Sequence, residues 1–250
     1  MSSVPATTDP TAPSSMSRLG RWCRDGLRLW RRAPFMLIAL GFCCLMVEAL
    51  LQQIPWAGVL ISKVVVPMCV AGIWLGLDEL QRNGRMRFSS LWAGWRHPRW
   101  IPLWVLSGLT GLLVSAFQFA GGWMVYGHDV VDAVVFGNAA AHPALLTRSF
   151  EYVLVLPGEL PATLLLLATP LFLFRGASIA AAIRGSIRIV LAAPFAFGLL
   201  MLLGTALLAL CLVNGWALFL LVLVLMPWSN AVGYAAWNDV ATHPYPDARA

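Results

Sequence analysis

The sequence predicts an all-α polytopic membrane protein with six transmembrane helices, arranged as three parallel helical hairpins each preceded by a cytoplasmic amphipathic helix. Three observations lead there. Of 250 residues, 60% are hydrophobic and 11% charged, whereas a soluble domain carries about 25% charged residues, so the solvent for most of this chain is lipid. The apolar residues fall into runs of about 20, the length that crosses a bilayer. Finally, the layout repeats: CRDGLRLWRRAPF, from Cys23 to Phe35, returns 160 residues later as IRGSIRIVLAAPF, from Ile183 to Phe195. Each copy places Arg, a small residue, an aliphatic residue and Arg ahead of Ala-Pro-Phe and an apolar run.

Residues 1–16, rich in Pro, Ser and Thr, read as a disordered tail. Residues 17–240 form the membrane domain and 241–250 a short cytoplasmic tail. Between Arg18 and Arg32, Leu19, Trp22, Cys23, Leu27 and Trp30 fall at helical spacing, and Arg18, Arg21, Arg24, Arg28, Arg31 and Arg32 cover the remainder. Such a helix is expected in the headgroup plane, with its tryptophans at the interface and its arginines on phosphates.

Span one runs from about Pro34 to Leu51, and Gln52, Gln53, Ile54 and Pro55 turn the chain into span two, about Trp56 to Leu77. Asp78 to Trp100 is a basic linker whose WAGWRHP resembles a shortened copy of the first amphipathic helix. Span three is about Ile101 to Tyr126, with Ser107, Gly111 and Ser115 as a small-residue stripe for close packing. A far-side linker, His128 to Tyr152, leads to span four. Pro157, Gly158 and Pro161 are expected to break its start, so that the continuous helix begins near Pro161 and runs past Phe174. Arg175 to Ala193 is the second basic linker. Span five is about Pro194 to Val213 and span six about Trp216 to Trp237, kinked near Pro227. Pro67, Pro170 and Pro227 fall one per returning span, and Gly72 with Gly76 forms a GxxxG read as packing.

Orientation follows from charge. Of 17 Lys and Arg residues, only Arg148 sits in an opposite-side linker and only Lys63 within a span. The positive-inside rule then places both termini in the cytoplasm. The returning ends repeat as well, since Gly72 and Asp78 match Gly233 and Asp239 at an offset of 161. The net charge of +6 lies beside apolar runs, which favours anionic phospholipid headgroups over nucleic acid as the counter-charge. Arg21, Arg24, Arg28, Arg31, Arg32, Arg184 and Arg188 are the headgroup-binding candidates. No protein partner is legible.

Ionisable residues inside spans cost about 2.5–3.5 kcal/mol each at the bilayer centre on insertion scales, and so mark functional candidates. Three qualify: Glu48, Lys63 and Glu159. Glu48 and Lys63 flank one turn at matched depth, roughly 9 to 12 Å below the surface, and are expected to pair. That pair is either a clasp for the first hairpin or, with Glu159, a site for a proton or cationic group. The five cysteines Cys23, Cys43, Cys44, Cys69 and Cys211 lack metal-ligand spacing, and no disulfide is expected. His128, Asp129, Asp132 and His142 match no metal-binding pattern. GxSxG, Walker, HExxH and dinucleotide motifs are absent from the sequence, so neither a catalytic residue nor a cofactor is expected.

The segments WCRDGLRLWRRAP, GIWLGLDELQRNGRM, ATPLFLFRGASIAAAIRGSIRIVLAAPF and VGYAAWNDV resemble those of an uncharacterised family of proteobacterial six-span inner-membrane proteins. More distantly, they are similar to the membrane domain of some glycerophosphodiester phosphodiesterases. The resemblance covers about Arg21 to Val240 and implies a helical inner-membrane protein. It carries no phosphodiesterase activity, which belongs to a separate soluble domain. The expected function is a non-enzymatic envelope scaffold or lipid-associated factor. The alternative is a small secondary transporter, a proton- or cation-coupled carrier with a site near Glu48, Lys63 and Glu159.

Overall fold

A helix that buries its backbone polar groups internally is one of only two ways for a chain to cross lipid, and helices account for most of the described residues. The structure, a computed structural model, describes residues 15–54, 57–145, 148–213 and 224–242, and contains no strand among them. Its helices are α1 (Ser15–Arg32), α2 (Pro34–Gln52), α3 (Gly58–Asn83), α4 (Ala93–Arg96), α5 (Trp100–Tyr126), α6 (Asp129–Val134), α7 (Arg148–Leu165), α8 (Ala168–Arg175), α9 (Ile179–Ala192), α10 (Pro194–Val213) and α11 (Met226–Thr242). A 3-10 turn, Phe88–Trp92, precedes α4. The expected tail at 1–16 lies outside the described residues except for Ser15 and Met16, which belong to α1. So does the first part of span six, and all of the C-terminal tail after Thr242.

Among the described residues, four segments are long and apolar enough to cross a membrane: Pro34–Gln52, Gly58–Asn83, Trp100–Tyr126 and Val153–Arg175. The pair α9–α10, bent by 97°, brings the number to as many as five. Their outward faces are greasy, as lipid-facing surfaces must be: on α5 alone, Trp104, Leu109, Leu113 and Phe117 are exposed.

The repeated Arg-to-Phe motif folds the same way twice. In each copy a helix stops at an alanine and a second starts on the following proline, whose missing N–H costs nothing at a first helical position. Ala33 has φ −147° and ψ 55°, and Ala193 has φ −132° and ψ 56°. Arg99, before α5, has φ −108° and ψ 42°, so the WAGWRHP segment makes a third elbow. At each elbow the carbonyl accepts from the amide four residues on, Leu37, Leu103 and Phe197, and all three of those side chains are buried. Two residues past each elbow, Phe35, Ile101 and Phe195 are 85%, 57% and 76% exposed.

Each leading segment lies against the end of a returning helix. The 3-10 turn and α4 pack on α3, α9 packs on α8, and α1 packs on α11. The GxxxG of α3 serves the first of these contacts: a Cβ on Gly72 would stand 2.3 Å from the Ser90 carbonyl oxygen. The ends of α3, α8 and α11 meet around an aromatic cluster, with Trp74 6.0 Å and Phe174 6.2 Å from Tyr234, and Phe174 5.9 Å from Trp237. Arg99 fastens α5 to α8. Its guanidinium donates to the carbonyls of Phe172, Gly176 and Ala177 and lies 4.2 Å from the Phe172 ring centre, so a cation caps the negative end of α8.

The small-residue stripe on α5 is a packing surface. Ser107 and Ser115 are buried, and a Cβ on Gly111 would lie 1.8 Å from the Lys63 carbonyl oxygen. That carbonyl lost its i+4 donor to Pro67, and the backbone of α5 covers it. α3 runs unbroken through Pro67.

Two expectations are corrected. Pro157 and Pro161 do not break the start of span four, because both lie inside the continuous α7. Gly121 of α5 makes room for the Pro157 ring, whose Cγ would be 2.3 Å from any Cβ there. The interruption falls instead at Leu166 and Leu167. There the buried Ser186 of α9 donates to the Leu164 carbonyl (2.7 Å) and accepts from the Leu167 amide (3.1 Å). Pro170 explains the position, since it has no N–H for the Leu166 carbonyl. The second correction concerns α1. Trp22 is not at a lipid interface: it is 1% exposed, 5.2 Å from the Phe197 ring, in the protein core.

Candidate functional site

The apolar stripe of α1 faces protein, so its remaining surface decides what the helix presents outward. Arg21, Arg24, Leu27, Arg28, Arg31 and Arg32 are exposed, whereas Trp22, Gly26 and Leu29 are buried against the body. On α9, Ala180, Ala181, Arg184, Arg188 and Leu191 are exposed, with Ala182, Ser186, Ile189 and Val190 buried. Both copies thus keep a basic outer face over a packed inner one. The seven headgroup candidates are all exposed.

Asp239, near the end of α11, anchors α1. Its Oδ2 accepts from Trp22 Nε1–H at 3.0 Å and lies 4.0 Å from Arg18, and its Oδ1 lies 3.5 Å from Arg21. The repeat-related Asp78 of α3 accepts from the Tyr234 hydroxyl at 2.9 Å and pairs with Arg82 at 3.0 Å. The offset of 161 pointed to both aspartates as a pattern, but their partners depend on which helices are adjacent. Ser186 and Arg99 carried no signal in the sequence, because each satisfies backbone carbonyls that only the fold leaves open.

The intramembrane residues divide. Lys63 Nζ donates to Glu48 Oε1 at 2.7 Å, with both side chains about one quarter exposed, and Gln52 Nε2 adds a second donor to the same oxygen at 3.2 Å. Glu159 does not join them: α7 packs on α5, α9 and α10, and Glu159 makes no ion pair with Lys63. The expected pair thus links α2 to α3, and Glu159, which the carrier alternative would add to it, lies on α7.

On the linker between α5 and α7, His142 reaches back to two aspartates. Its Nε2 is 2.7 Å from Asp132 Oδ2 and its Nδ1 3.5 Å from Asp129 Oδ1, while Asn138 Nδ2 donates to Asp132 Oδ1 at 3.0 Å. His128 stays apart, its ring 4.2 Å from Trp123, and no metal-binding group of three is present among the described residues. The hydrogen bond to Asp132 raises His142 above its ordinary 6.5, and the same bond lowers Asp132 below 3.8. A raised histidine stabilises the fold below its unfolded value and loses that contribution as pH rises through its folded one. A lowered aspartate contributes above its unfolded value and loses it as pH falls. The clamp is thus complete between about pH 3.8 and 6.5. Amides of residues 129–145 are expected to exchange more slowly at pH 6 than at pH 8.5, after correction for intrinsic rates, and His142→Gln should remove the difference. Equal protection at both values would refute the clamp.

Cys23, Cys43, Cys44 and Cys69 are free thiols; the side chain of Cys211 lies outside the described residues. The chain matches no family model, no curated protein and no solved structure.

Proposed function

We propose that this protein is a non-enzymatic, lipid-associated scaffold of the bacterial inner membrane, with six spans in three parallel hairpins and both termini in the cytoplasm. The observation that carries this reading is the two-sidedness of α1 and α9. Their inner faces are buried against α11 and α8, while Arg24 and Arg31, and Arg184 and Arg188, are exposed. Each helix ends at an elbow with an exposed phenylalanine, Phe35 or Phe195. A basic face next to a greasy anchor, at the start of an apolar helix, matches a leaflet of anionic lipid. Each arginine near such a surface contributes about 1 kcal/mol.

Replacing Arg24, Arg31, Arg184 and Arg188 together by glutamine is expected to reduce co-purified anionic lipid several-fold at unchanged melting temperature. Lipid extraction and mass spectrometry read the amount. Retention of the same anionic lipid would refute the proposal.

A further inference from the structure

The three seams between leading and returning helices are not equally closed. At the first, α3 receives the backbone of Ser90 and Leu91 directly against Gly72, and Met86 against Gly76. At the second, Arg99 caps α8 and Ser186 plugs the α7–α8 break. The third seam, where α1 closes on α11, is tight only at its centre, where a Cβ on Gly26 would lie 2.8 Å from the Val232 amide nitrogen. Beside that contact it opens into a cleft of about 560 Å³, within the roughly 300–1,000 Å³ of small-ligand sites.

Arg21, Arg28 and Arg32 line one wall of this cleft, Gln81 and Asn238 the other, with Trp22 and Leu29 among its apolar residues. Two carboxylates are also present, and they are engaged: Asp239 with Arg21 at 3.5 Å and Asp25 with Arg28 at 3.0 Å. Arg32 has no ion-pair partner among the described residues. It stands one helical turn from Arg28, and like charges at that spacing destabilise a helix. Across the cleft, Asn238 Nδ2 donates to Gln81 Oε1. That bond leaves the Gln81 amide to donate and the Asn238 carbonyl oxygen to accept.

We infer that the α1–α11 seam is a discrete binding site for a phosphoryl group carrying a hydroxylated substituent, of the glycerophosphate type. The phosphoryl oxygens lie between Arg28 and Arg32, where planar guanidinium forks match their geometry, and give Arg32 a counter-charge. Gln81 donates to the same anion, and Asn238 accepts from a hydroxyl. The site relies on the scaffold reading only for facing the cytoplasmic leaflet. Its chemistry is shared by a phosphatidylglycerol headgroup and by free glycerol phosphate.

The test uses full-length protein in phosphatidylcholine nanodiscs. Phosphatidylglycerol doped into the disc and soluble glycerol 1-phosphate serve as probes, with binding read by native mass spectrometry. One equivalent is expected to bind saturably, and Arg32→Gln and Asn238→Leu should each weaken it at least tenfold. Both are seam residues at exposed or half-exposed positions, and an unchanged melting temperature confirms that each variant is folded. Arg24→Gln with Arg184→Gln, outside the cleft, should leave this equivalent in place while lowering the remaining anionic lipid. Competition by glycerol 1-phosphate identifies a free anion as ligand; binding of the lipid alone identifies a headgroup. Failure of both probes to bind stoichiometrically, or equal binding by the Arg32→Gln variant, overturns the site. Unchanged bulk anionic lipid in the Arg24→Gln, Arg184→Gln variant, with the single equivalent intact, would sink only the scaffold reading.

Discussion

Trp22→Ala is expected to destabilise the protein by about 3–5 kcal/mol, the range for deleting a buried large aromatic side chain. Trp22 is fully enclosed, touches Phe197 and donates to Asp239. Its removal opens a cavity at the seam between the first and last helices and deprives a half-buried carboxylate of a donor. Trp22→Phe keeps most of the volume and should cost less, about 1.5–3 kcal/mol for a hydrogen bond to a charged group. Gly26→Leu attacks the same seam by overpacking, where the Val232 backbone cannot retreat, and should add a loss of about 1–3 kcal/mol. Thermal unfolding in detergent reads all three. A helix resting on lipid would tolerate each of them, so a melting curve unchanged by Trp22→Ala would mean that α1 does not fold onto α11.

Lys63→Met is the second large effect, on the order of 3 kcal/mol, because it strands Glu48 within the membrane domain. The expected pattern is asymmetric. Removing one partner is costly, whereas Glu48→Leu with Lys63→Leu should return stability to near that of the parent, since well-packed apolar residues replace a buried pair with little loss. A double-mutant cycle in bicelles measures the coupling. Strong coupling with a stable double variant identifies a clasp across the α2–α3 turn. Additive effects would show that the 2.7 Å contact contributes nothing to stability.

These two sites also show what the sequence could convey. The Glu48–Lys63 pair was legible because both residues flank one short turn, and equal distances along two adjacent helices fix equal depth. Glu159 is far from that turn in sequence. Its position depends on where α7 packs, and α7 packs against α5, α9 and α10. The periodicity between Arg18 and Arg32 correctly announced a helix, but an apolar stripe reports only that a face leaves water. It does not say whether lipid or protein receives it, and Trp22 went to protein. The prolines of α7 mislead for a related reason. Their local preference for a break yields to close packing at Gly121, while the real interruption follows from Pro170 and the hydroxyl of Ser186, donated from 20 residues downstream of the break. The repeated motif was the most informative signal, because its three elbows are backbone events set by residues within the motif itself.

Sidedness is the premise shared by the basic faces, the headgroup reading and the orientation of the seam. Single cysteines at Arg24, Arg184 and Gln53, in a background free of native cysteines, can be labelled in spheroplasts with a membrane-impermeant maleimide before and after lysis. Positions 24 and 184 should react only after lysis, and position 53 before it. Labelling of 24 or 184 from outside, or protection of 53, would contradict the proposed arrangement of the chain in the membrane.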